Sequence, residues 1–114
     1  MKQPEPRDLF PGALEMMILQ TLKRQPLHGY ALVQHIQQRS NDLLQVEEGS
    51  LYPALQRMLK ARLVKARWGQ SATGRRVRIY AITPAGVDHL DDKVSAFERM
   101  LDGIRLVLSP AKQR

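Results

Sequence analysis

Between Gly49 and Thr83 the chain carries Arg57, Lys60, Arg62, Lys65, Arg67, Arg75, Arg76 and Arg78 and not one Asp or Glu. A share of the chain's 11 acids proportional to that length would be about three. Cationic side chains gathered without counter-charges neutralise phosphates and release their counterions, and Arg and Gln also pair with the edges of guanine and adenine. The chemistry on offer is recognition of a polyanion, and double-stranded DNA is the partner that uses both abilities. A solvated basic face accounts for most charge runs taken singly, but Arg75, Arg76 and Arg78 side by side add self-repulsion without helping the fold.

Nothing comparable supports catalysis. The three histidines, His28, His35 and His89, form no helical i, i+4 pair and no cluster with carboxylates, and no phosphate-binding loop or nucleophile triad is present. The absence of cysteine excludes disulfides, thiol catalysis and thiolate metal sites. The expectation is a protein that is not an enzyme and uses no cofactor and no metal. An adaptor that binds an acidic protein is the competing reading, and a steep dependence of binding on salt separates DNA from that partner.

Positioning such cations requires a scaffold, and its outline follows from spacing. Leu14, Met17, Ile18 and Leu22 share a face of a first helix from about Gly12 to Arg24, closed by Gln25 and Pro26. Leu32, Val33 and Ile36 do the same for a second helix over Tyr30 to Arg39, with Leu27-His28-Gly29 as the turn before it and Tyr30 in the core. Leu44-Gln45-Val46 alternates and is expected to pair as a short strand. Ser50 is expected to cap a third helix with Pro53 in its first turn, a buried stripe of Leu51, Leu55, Met58 and Leu59, and a polar, basic outer side.

Val64-Ala66-Trp68 and Val77-Ile79-Ala81 alternate on either side of the turn-forming run from Gly69 to Gly74, which predicts a hairpin with a flexible basic tip, anchored to the helices by Trp68. Thr83-Pro84 then opens a long helix that Ser109-Pro110 ends. Along it Val87, Leu90, Val94, Phe97, Leu101, Ile104 and Leu108 follow at alternating spacings of three and four. That is the seam of a helix packed lengthwise on another, and a rod of about 37 Å outruns what so small a core can cover. A second copy of the chain is the expected partner.

The fold class expected is mainly α with a small β-hairpin: a winged helix-turn-helix followed by a long C-terminal dimerisation helix. The organisation expected is a loose arm over residues 1–11, a winged-helix unit over 12–83, the dimerisation helix over 84–108 and a tail over 109–114. The first residues hold no apolar run, so neither a signal peptide nor a membrane span is expected, and the cytoplasm is the expected location.

Three segments together carry a specific resemblance: Leu27-His28-Gly29-Tyr30, Glu48-Gly49-Ser50-Leu51-Tyr52-Pro53-Ala54-Leu55, and Arg76 through Tyr80 with Ile82-Thr83-Pro84-Ala85-Gly86. In this order, from about Leu9 to Leu90, the chain resembles the PadR family of bacterial transcriptional regulators. The resemblance implies a homodimer that binds a roughly palindromic operator, usually as a repressor, and that often responds to a small-molecule effector. Some family members hold flat aromatic compounds with a tryptophan on the last helix; this chain has none there, so that pocket is not carried over and the effector stays unassigned. The residues expected at DNA are Ser50, Tyr52, Gln56, Arg57 and Lys60 on the third helix, which would enter the major groove, and Arg75, Arg76 and Arg78 on the wing. Val87, Leu90, Val94, Phe97, Leu101, Ile104 and Leu108 are expected to hold the dimer.

Overall fold

A computed structural model describes residues 12–111. The expected arm over 1–11 and the last residues of the expected tail lie outside that range. The order is α1 (Ala13–Arg24), β1 (Leu27–His28), α2 (Gly29–Arg39), α3 (Glu48–Lys60), β2 (Val64–Gln70), β3 (Arg76–Ile82) and α4 (Pro84–Leu108). Four helices surround one end of a three-stranded antiparallel sheet of order β1-β3-β2, the winged helix-turn-helix expected from the sequence.

The core forms where the apolar faces of the first three helices converge on the base of the hairpin. Ile18, Leu19 and Leu22 of α1, Leu32 and Ile36 of α2, and Leu51, Ala54, Leu55 and Met58 of α3 meet Val64, Tyr80 and Leu90. Helix α3 hands the chain to β2 through a tight reversal. Arg62 N–H donates to Leu59 O at 3.0 Å and Leu63 N–H to Met58 O at 2.9 Å, with Arg62 left-handed at φ 62°.

Thr83 joins the wing to α4 as expected from Thr-Pro. Its hydroxyl accepts from Gly86 N at 3.0 Å and lies 2.7 Å from Arg62 O and 3.0 Å from Leu63 O, to which its proton is donated. A Cβ at Gly86 would collide with the Leu63 carbonyl. Thr83 and Gly86 thus let the start of α4 press against the turn after α3.

Two local expectations are corrected. Leu44–Val46 is not a strand, because the free edge of β3 is already taken: Leu27 pairs with Tyr80 and His28 with Ile79. The chain after α2 folds back instead, with Asn41 and Asp42 left-handed and Leu44 N–H donating to Ser40 Oγ at 3.0 Å. Helix α3 begins at Glu48, with Glu47 before it and no side-chain cap. Ser50 therefore sits inside the helix, and Pro53 lies a turn deeper than expected, with no N–H to offer the Gly49 carbonyl. Among the described residues no helix is long and apolar enough to cross a membrane.

Candidate nucleic-acid interface

On α3, Gly49, Pro53, Gln56 and Lys60 are all exposed on the side opposite the buried Leu51, Ala54, Leu55 and Met58, as spacings of three and four dictate. Ser50 is half-buried, and Arg57 and Tyr52 occupy the two flanks. Arg57 Nε donates to Glu15 Oε2 of α1 at 3.1 Å between side chains 62% and 30% exposed. So open a pair is worth less than about 1 kcal/mol. It turns the guanidinium toward α1 without locking it there.

Tyr52, on the other flank, packs against the start of α2. A Cβ on Gly29 would stand 2.5 Å from Tyr52 Oη, so the glycine between His28 and Tyr30 is what allows this ring to fit. Burial first, then the charge of Glu48 and the proximity of Tyr80, push the Tyr52 phenol above its ordinary pKa. At neutral pH it is a protonated donor.

The starts of α2 and α3 and the inner face of the wing bound an open cleft of about 720 Å³. Tyr30 and Gln34 reach it from α2, Glu48 and Tyr52 from α3, and Trp68, Arg75, Arg76 and Arg78 from the wing. The wing tip is closed by Ser71 N–H to Arg75 O at 2.8 Å and Gly74 N–H to Ser71 O at 2.9 Å. Cross-strand register puts Ala66 opposite Tyr80, Trp68 opposite Arg78 and Gln70 opposite Arg76, all on one face; Lys65 and Arg67 lie on the other.

Both aromatic residues assigned to core or anchor roles are exposed. Tyr30 is 57% exposed, because the buried face of α2 runs through Gly29, Leu32 and Ile36 and Tyr30 falls outside it. Trp68 is 54% exposed although it shares a face with Val64 at 2%, because the hairpin leaves the helices behind between those positions. Trp68 does not anchor the wing. Arg76 Cζ lies 4.2 Å and Arg78 Cζ 5.2 Å from the centroid of its ring.

The structure therefore gathers Tyr52, Arg75, Arg76 and Arg78 around one cleft, leaves Gln56 and Lys60 on the outward face of α3, and holds Ser50 and Arg57 apart from that cleft. The sequence reading missed Tyr30, Gln34 and Trp68 as cleft residues. The spacing of Tyr30 and Gln34 on the polar side of α2 held the signal for two of them.

Along α4, Leu90 is 1% exposed in the protomer's own core and Val94 packs against that core. Leu90 has no surface left for a partner, which corrects its place on the seam. Val87, Phe97, Leu101 and Ile104 are half-buried, whereas Leu108 is 76% exposed beside Leu106 and Val107.

The model of the transcriptional regulator PadR-like family matches residues 18–92. A transcriptional regulator from Clostridium thermocellum is 25% identical, with 90% of this chain and 99% of that one covered and a TM-score of 0.81. A PadR-like transcriptional regulator from Bacillus cereus is 26% identical, with 91% and 99% covered and a TM-score of 0.77. The fold is also shared with Bacillus subtilis PadR, whose structure is a complex with operator DNA, at 21% identity, 72% of this chain, 46% of that one and a TM-score of 0.64.

Proposed function

The chain belongs to the PadR-like family of transcriptional regulators, and from that premise we propose that it binds a roughly palindromic operator as a homodimer and represses transcription there. Helix α3 enters the major groove with Gln56 and Lys60 foremost, and the wing lays Arg75, Arg76 and Arg78 along the adjacent backbone. The observation that carries this reading is the convergence of the wing arginines and the starts of α2 and α3 on one cleft, beside a helix face that holds no acid after Glu48. The operator complex of Bacillus subtilis PadR supports it on the side of fold.

Residues 12–83 form the DNA-binding unit and residues 84–108 the dimerisation helix. Beyond Val94, α4 presents Met100 at 46% exposure and Leu106, Val107 and Leu108 at 76% or more. A groove of about 270 Å³ lined by Met16, Leu19, Phe97 and Met100 continues that apolar surface onto α1. A second copy of the chain fits this surface, and its two-fold axis gives the operator its symmetry.

Selection of bound duplexes from a random pool tests the reading as a whole. The expected product is an inverted repeat whose half-sites lie about one helical turn, 34 Å, apart. A pool that fails to enrich, or that enriches a single asymmetric half-site, overturns it.

A further inference from the structure

Trp68 is an exposed indole on the hairpin, outside the buried core and opposite Arg78 in the strand pairing, where neither core packing nor strand pairing calls for a tryptophan. What it touches are two cations. Arg78 is its direct cross-strand partner and Arg76 lies one pair further along the same face, with guanidinium carbons 5.2 Å and 4.2 Å from the ring centroid. Both distances lie inside the range in which a ring's negative face attracts a cation. Among the described residues neither arginine is paired with a carboxylate; the ion pairs there are Arg57 with Glu15 and Arg105 with Asp102.

We propose that Trp68 is a positioning residue for the wing: its ring holds the Arg76 and Arg78 side chains ordered on the face of the cleft before a phosphate arrives. This rests on the DNA-binding reading above and adds to it the group that prepares the cations. Two like charges on one face of a hairpin repel each other and leave long side chains to be ordered at the moment of binding. An indole face opposes both effects. A guanidinium stacked by its face keeps its in-plane N–H donors free, so stacking on Trp68 and bonding to phosphate use different parts of the same group. Lysine offers no such planar face.

The test is a double-mutant cycle read by anisotropy of a labelled duplex of random sequence, with thermal melting of each variant as the control for folding. Trp68→Leu keeps apolar bulk and removes the ring, and is expected to weaken binding about three- to tenfold. Trp68→Phe falls between it and the parent. In the Arg76→Ala/Arg78→Ala background, Trp68→Leu is expected to have no further effect, which a tryptophan that merely braces the hairpin would not produce. Trp68 is the only tryptophan, so its emission reads the stack in the free protein, and removing both arginines is expected to change it even for variants whose binding is too weak to measure.

Equal losses from Trp68→Leu with and without the arginines overturn the proposal and leave the DNA-binding reading standing. So does an emission unaltered by removal of both arginines. A parent protein that binds no duplex at any salt concentration overturns both.

Discussion

The two kinds of contact expected of this surface separate most sharply at single side chains. Arg76 is exposed and lies at the cleft with no carboxylate beside it among the described residues, so under the proposed function its contribution to DNA binding is that of a charge. Arg76→Ala is expected to weaken binding to every sequence and to reduce the slope of log affinity against log salt by about one. Gln56, uncharged and outward on α3, is expected to behave in the opposite way: Gln56→Ala leaves the slope alone and lowers discrimination at one base pair by about 1–3 kcal/mol. Titration of both variants against operator and random duplex over a range of salt distinguishes them, and a salt slope unchanged in Arg76→Ala removes that residue from the interface. The basic residues themselves were legible in the sequence because charge without counter-charge is visible in any order of folding. Their pairings were not. The 3.1 Å contact of Arg57 with Glu15 joins residues 42 apart in the chain, and the stack on Trp68 depends on a hairpin register that alternation alone leaves unfixed.

At the scale of elements, the turn between α3 and β2 matters more than its length suggests, since it aims the wing relative to the outward face of α3. It is closed by two backbone bonds around Arg62, a side-chain-bearing residue held at φ 62°. That conformation costs an L-residue about 1–2 kcal/mol and glycine almost nothing. Arg62→Gly is accordingly expected to raise stability by up to about 1 kcal/mol, part of the gain being offset by the greater freedom of glycine in the unfolded chain. A higher midpoint in urea with an unchanged m-value is the expected signature; a lower one means the arginine side chain makes a stabilising contact that outweighs its backbone. The long helices and the hairpin were readable because each repeats its period several times. Strand β1 was not, since Leu27 and His28 are too few to display any period and their place is set by Tyr80 and Ile79, far along the chain. The better-looking alternation at Leu44–Val46 lost the same edge to them.

For the molecule as a whole, shape is the evidence for a partner. Its radius of gyration is 16.5 Å, against about 13 Å for a compact domain of some 100 residues, and its extents are 65 × 35 × 21 Å. The 25 residues of α4 contribute to that length, because its buried positions, Gly86 and Leu90, lie in its first two turns. The regular seam of seven apolar residues was legible in the sequence, but its division was not: leucines buried in the protomer's core and leucines left exposed on its surface look alike until the core is closed. The two halves make opposite predictions. Leu90→Ala removes a residue 1% exposed in the core and is expected to cost about 2–5 kcal/mol in folding. Leu101→Asp with Leu108→Asp lies beyond the residues packed on that core, so helical circular dichroism is expected to persist while sedimentation at micromolar concentration gives a monomer. Such a monomer retains α3 and the wing, and its loss is in tethering: each half-site is then bound alone, without the effective concentration the second subunit supplies. Affinity for the full operator should fall far more than affinity for an isolated half-site. A double variant that still sediments as a dimer places the interface elsewhere on the molecule and leaves the apolar end of α4 without the partner assigned to it.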